Sequence, residues 1–153
     1  MRGCFSILAT GAVVENPCYN LALQTFVAAG AELIPLAVDR EGMRTDGLCA
    51  ARLAYVTPSH QFPLGSVMSV RRRQELLAWA QRTGSYIIED DYDSEYRFDI
   101  APIPPLQLMD SAERVIYLGT VSKTLSPTLV VWLDRIPTER AHAFFRAGAC
   151  HGA

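Results

Sequence analysis

The sequence has little of what would mark a metal site, a disulfide framework or a polyanion-binding surface. Its 153 residues include only four cysteines and three histidines. Cys4, Cys18, Cys49 and Cys150 are scattered with no Cys-x-x-Cys pair, and there is no His-Glu-x-x-His or Cys/His cluster. No metal site is expected from such spacing, and free thiols in a reducing cytoplasm are expected rather than disulfides. Lys and Arg number 14 against 16 Asp and Glu, a net charge of −2, so no direct nucleic-acid contact by this segment is expected. No apolar run reaches the ~18 residues a membrane helix needs. Cys4–Val14, after Met1-Arg2, imitates a signal peptide, but no small-residue cleavage site precedes a polar mature start. A Gly-x-Ser-x-Gly elbow, a P-loop, internal repeats and low-complexity tracts are all missing.

What is present is a core-forming chain of about one domain's length, with half of its residues hydrophobic. Apolar runs alternate with helical patterns. Strands are expected at Ala12–Glu15, Ala31–Val38, Leu53–Thr57, Tyr86–Asp90, Val115–Leu118 and Leu129–Leu133. Pro35 pushes the second of these towards a sheet edge. Asp39–Thr45 reads as a polar turn. Asn20 is placed to cap a helix ending near Ala29, with Leu23, Phe26 and Val27 inward and Gly30 as its stop. Ser69 is placed to cap a longer one reaching Thr83, with Leu76, Leu77 and Ala80 buried and Gly84 as the stop. Arg71, Arg72 and Arg73 fall in its first turn, where the helix dipole disfavours cations, and read as a solvated face. Pro137-Thr138 opens a last helix. This order predicts an α/β domain with a mainly parallel sheet flanked by helices. The segment Asp91–Met109 breaks the pattern, with three prolines and an acidic-aromatic run, and long loops of this kind are often functional.

Chemistry concentrates at two strand ends. Tyr86-Ile-Ile-Glu-Asp-Asp-Tyr delivers Glu89, Asp90 and Asp91, while Val115-Ile-Tyr-Leu-Gly-Thr-Val-Ser-Lys delivers Lys123 after Gly119, Thr120 and Ser122. Carboxyl ends of parallel strands are where α/β proteins place their sites. Glycine allows close backbone approach, and the hydroxyls of Thr120 and Ser122 suit a phosphate. An amine able to bond an aldehyde, with a carboxylate to hold a pyridinium nitrogen, is the protein half of pyridoxal phosphate (PLP) chemistry. The bland alternative is a solvated lysine and a solvated acidic strand end. Thr57-Pro-Ser-His-Gln-Phe-Pro-Leu-Gly65 is a turn in which His60 and Gln61 are ligand contacts or backbone caps.

With these segments assembled, the chain resembles the aminotransferase domain of fold-type I PLP enzymes. It looks most like the version joined to a winged-helix GntR-type domain in MocR-class transcriptional regulators. The resemblance is carried by Val56–Gly65, Ile87–Phe98 and Val115–Pro127, and more weakly by Glu15-Asn-Pro-Cys-Tyr19. It implies that residues 1–153 form the central part of the large domain, with PLP as cofactor. It implies Lys123 as the catalytic lysine that holds the cofactor covalently, and Asp90 as the partner of the pyridine nitrogen. Tyr92 matches the tyrosine that bonds the ring hydroxyl, Tyr19 an aromatic stacked on the ring, and Thr120 and Ser122 residues near the phosphate. Gln61 falls in a loop that approaches the ring. For the full-length family it implies an amino acid or amine ligand, a homodimer and a cytoplasmic location. The chain departs from the family by lacking the glycine-rich phosphate loop, the small domain with the carboxylate-binding arginine and the winged helix. Val130 stands where the family has a phosphate-binding arginine. These departures predict a truncated chain without transaminase activity of its own. A piece of a free-standing aminotransferase and an inert remnant are the competing readings.

Overall fold

The computed structural model describes residues 11–92, 103–119 and 132–134. The elements run β1 (Gly11–Asn16), α1 (Asn20–Ala28), β2 (Glu32–Asp39), β3 (Gly42–Met43), β4 (Leu53–Val56), α2 (Val70–Thr83), β5 (Tyr86–Asp91), α3 (Leu106–Met109), β6 (Val115–Gly119) and β7 (Trp132–Asp134). They form one seven-stranded sheet in the order β3-β2-β1-β4-β5-β6-β7. β2, β1, β4, β5 and β6 are mutually parallel, and β3 and β7 close the two margins antiparallel. This is the expected mainly parallel α/β sheet, and the strand expected at Leu129–Leu133 is represented by β7, which lies antiparallel at the far edge. Part of its expected span, 129–131, lies outside the described residues, as does the expected helix at Pro137.

The alternation of strand side chains builds two cores. On one face Val13, Ala54, Val56, Ile87 and Val115 pack against Leu76, Trp79 and Ala80 of α2. On the other, Ala12, Val14, Leu53, Tyr55, Ile88 and Ile116 pack against Leu23 and Phe26 of α1. Near-continuous apolar runs are what strands covered on both faces require. α2 begins and ends as its sequence dictates. The Ser69 hydroxyl accepts from the Arg72 N–H at 3.4 Å, and Gly84 closes the helix in the left-handed region at φ 71°.

Four local expectations need correction. Asn20 is the first residue of α1 rather than its cap; Tyr19 takes that place, with no side-chain capping bond. Val27 faces outward. β3 forms inside the expected Asp39–Thr45 turn and pairs with Val38 and Asp39, so β2 is not the edge strand, although among the described residues no strand pairs with its outer margin at Pro35. The arginine run is not a solvated face. Arg71 is exposed and pairs with Glu41 and Glu75, whereas Arg72 and Arg73 are buried. Arg72 grips Asp39 with two bonds, 2.6 and 2.7 Å, and the Gly42 carbonyl at 2.7 Å. Arg73 donates to the carbonyls of Met68, Pro58 and Pro104 at 3.0, 2.8 and 3.0 Å. These partners offset the dipole cost that suggested solvation.

Candidate functional site

The connection from β1 leads through α1 to β2 on one side, while β4 lies on the other side of β1. That reversal puts the carboxyl ends of β1 and β4 at the usual ligand position in such sheets. Three groups of residues meet there: Glu15 to Tyr19 after β1, Thr57 to Gly65 after β4, and Asp90 to Tyr92 at the end of β5.

Asp90 shares a sheet face with Tyr55, whose hydroxyl donates to it at 2.5 Å. Burial lifts the Asp90 carboxyl above the ordinary carboxylate range, the Tyr55 bond opposes that rise, and the nearby Asp91 charge adds to it. Burial likewise raises the Tyr55 phenol, with Asp90 contributing. Among the described residues no cation pairs with Asp90. An acid held half-buried with a single neutral donor is a ready partner for a positively charged ring.

Tyr92, Phe62 and Tyr19 form an aromatic wall beside these strand ends. Phe62 meets Tyr19 edge-on at 5.6 Å and Tyr92 at 6.0 Å, and His60 meets Tyr92 at 6.0 Å. Tyr19 and Phe62 are exposed, an unusual position for large rings with so little cover. Gln61 turns inward instead. It is 1% exposed, its amide nitrogen donates to Glu15 and to the Pro17 and Phe62 carbonyls, and its oxygen accepts from Leu64 N–H. Its polar atoms are therefore engaged by protein groups, and its place is behind the wall. Lys123, Thr120 and Ser122 lie outside the described residues. β6 brings the chain to Gly119, beside Asp91 in register, just before them.

Sequence reasoning misses several contributors. Tyr55 reads only as strand, although the two-residue period places it with Leu53 on the face that Asp90 shares. Phe62 is overshadowed by its polar neighbour Gln61. Glu15, buried at the end of β1, accepts from the Thr57 backbone and hydroxyl at 3.3 and 2.6 Å. Burial pushes its carboxyl up to about 7, against the pull of those bonds.

No family model matches the chain. Solved structures align closely. The kynurenine aminotransferase of Pyrococcus horikoshii, solved in complex with PMP, superposes with a TM-score of 0.81 at 30% identity, over 93% of this chain and 38% of that one. The fold is that of the fold-type I PLP-dependent aminotransferases, a family whose cofactor is pyridoxal phosphate. More particularly, the chain is homologous to MocR- and GntR-type transcriptional regulators with aminotransferase-like regions. It is 48% identical over 127 residues to an uncharacterised HTH-type transcriptional regulator of Bacillus subtilis, covering 82% of this chain and 27% of that protein. It is 43% identical over 135 residues to the probable rhizopine catabolism regulatory protein MocR of Rhizobium meliloti, covering 87% and 27%. The chain thus spans about a quarter of the length of the regulators it matches.

Proposed function

We propose that this chain forms the PLP-binding floor of the aminotransferase-like domain of a MocR-class regulator. The observation that supports this best is Asp90: a half-buried carboxyl at a strand end, with one neutral hydrogen bond among the described residues and an aromatic wall beside it. The residues present fit the cofactor. Asp90 offers the anion that a protonated ring nitrogen needs, Tyr92 a hydroxyl, and Tyr19 an exposed ring face. Lys123 is proposed as the covalent anchor, with Thr120 and Ser122 as phosphate donors. When bound, PLP supplies an aldehyde that captures amines and a ring that withdraws electrons from them. Asp90 keeps that ring protonated, because separating a buried charge pair is costly. Tyr55 holds Asp90 in place and satisfies one of its oxygens, and the wall excludes water from one side.

Three regulators match at 43–48% identity, whereas an aromatic-amino-acid aminotransferase of Thermococcus litoralis matches at 36%, which favours the regulatory setting. An amino acid or amine as effector, a homodimer in the complete protein, and a cytoplasmic location belong to the same proposal. Among the described residues no helix is long and apolar enough to cross a membrane. Turnover by this chain alone is not expected, because Val130 replaces the phosphate arginine and precise positioning can contribute roughly 7–11 kcal/mol to such a reaction. The test is titration with PLP, followed by absorbance. Binding that disappears in Lys123→Ala supports the reading. Equal signal in the variant assigns it to surface amines and defeats it. Keto-acid formation that depends on Lys123 would establish a catalytic chain instead.

A further inference from the structure

Glu15 is a buried acid at the switch point to which the proposed function assigns no role. Its carboxyl collects three donors from one loop: the Thr57 N–H at 3.3 Å, the Thr57 hydroxyl at 2.6 Å and the Gln61 amide at 3.2 Å. The loop is organised around the same atoms. Thr57 Oγ1 accepts from the Phe62 N–H at 3.2 Å, and the Gln61 side chain accepts from Leu64 and donates to the Pro17 and Phe62 carbonyls. Phe62 leaves this knot exposed and edge-on to both Tyr19 and Tyr92. The acid is thus two hydrogen bonds from the aromatic wall.

We infer that Glu15 is a positioning residue: gripped by Thr57 and Gln61, its carboxyl sets the 57–65 loop and so holds Phe62 between Tyr19 and Tyr92. The inference rests on the proposed function only for what lies against the wall; the wall itself is built from the chain's own residues.

The hydrogen-bond inventory makes this role depend on protonation. An ionised carboxyl accepts all three donors and leaves Thr57 Oγ1 able to accept from Phe62. A protonated carboxyl must donate, and Thr57 Oγ1 is the acceptor at hand, so the threonine proton loses its place. With Glu15 pushed up to about 7, chiefly by burial, the two patterns exchange near neutrality. The groups that bear on the carboxyl are Thr57 and Gln61 beyond β4, Tyr55 on β4, Asp90 on β5, and Cys18 beyond β1. Burial, with the Glu15 charge adding, pushes the Cys18 thiol up to about 11, so it stays neutral through this range. His60 neighbours Tyr92 and needs its own control.

The whole chain, labelled with 3-fluorotyrosine, reports the wall by fluorine NMR, with Tyr19→Phe and Tyr92→Phe assigning the two resonances. Both should move with a midpoint at about 7 in the parent and in His60→Gln. Both should stop moving in Glu15→Gln and Thr57→Val, and Thr57→Ser should restore the movement. Far-ultraviolet circular dichroism and Trp79 fluorescence report whether each variant is folded; should Glu15→Gln not fold, the Thr57 pair decides. Titration that survives in Glu15→Gln or Thr57→Val, or that vanishes in His60→Gln, overturns the inference. PLP affinity at mildly alkaline pH should fall about three- to tenfold in Glu15→Gln, the size of one lost hydrogen bond. Equal affinity in parent and variant overturns the positioning role. A parent that does not bind PLP defeats the proposed function, and the NMR outcome then decides the inference by itself.

Discussion

Glu89 and Asp90 are consecutive on β5 and face opposite sides of one sheet, and their surroundings differ in kind. Glu89 is fully enclosed. One oxygen accepts the Leu106 N–H at 2.9 Å and the other the Gln107 N–H at 3.0 Å, and the buried Arg73 guanidinium lies 3.9 Å away. Asp90 is half-buried and, among the described residues, has the Tyr55 hydroxyl as its donor. Burial raises both carboxyls above their ordinary range. On the Glu89 side the cost is offset by protein donors, and the acid fastens α3 to the sheet. On the Asp90 side, among the described residues, the Tyr55 hydroxyl offsets it only in part. The difference teaches that a site is marked less by burial than by burial incompletely answered.

The largest way to break this comparison is on the closed side. Arg73→Met removes the guanidinium that bonds three carbonyls and leaves Glu89 enclosed without its cation. The expected loss is about 3–5 kcal/mol of stability, read from the shift of the denaturant midpoint. A change within experimental error would show that the enclosed acid does not depend on its cation.

Glu15 sharpens the contrast through pH. Its folded carboxyl is raised from 4.5 to about 7. Folding therefore favours its protonated form, and the contribution is fully present below the unfolded value and lost as pH rises through the folded one. The change across that window should be about 3 kcal/mol at most. Glu15→Gln should flatten the stability profile there, measured by thermal unfolding at a series of pH values. An unchanged slope would contradict it.

Asp90→Asn should separate ligand from fold. Asparagine keeps an acceptor for Tyr55 and removes a charge that burial disfavours, so thermal stability at neutral pH should hold or rise. PLP binding should weaken by about 1.5–3 kcal/mol, the worth of a charged hydrogen bond, as read by titration. Equal losses in both measurements would make Asp90 structural, like its neighbour.

The smallest effect belongs again to the closed side. Ser69→Ala removes the cap of α2, with an expected cost of about 1 kcal/mol in the denaturant midpoint and no change in PLP affinity. A loss of affinity would mean that α2 supports the open side as well.

Most strands, both long helices and the Ser69 and Gly84 boundaries are legible in the sequence, because period and capping are local. Asp90 and Tyr92 are legible as a strand end, and Tyr19 through its motif. The arginines mislead because a first-turn cation is unfavourable locally. The Pro58, Met68 and Pro104 carbonyls and the Glu89 carboxylate, distant in part along the chain, make burial favourable for Arg73. Gln61 looks like a ligand contact because its loop is polar, yet its amide points at Glu15, 46 residues away in sequence.

By itself the sequence determined the α/β class, the parallel strands and the acids that end β5, since alternation and turn residues act over a few positions. Only the tertiary structure decided which of those acids is closed and which is open. That depends on partners brought in from β4, α2 and the loop before α3, and no local pattern encodes which donors will meet a buried charge.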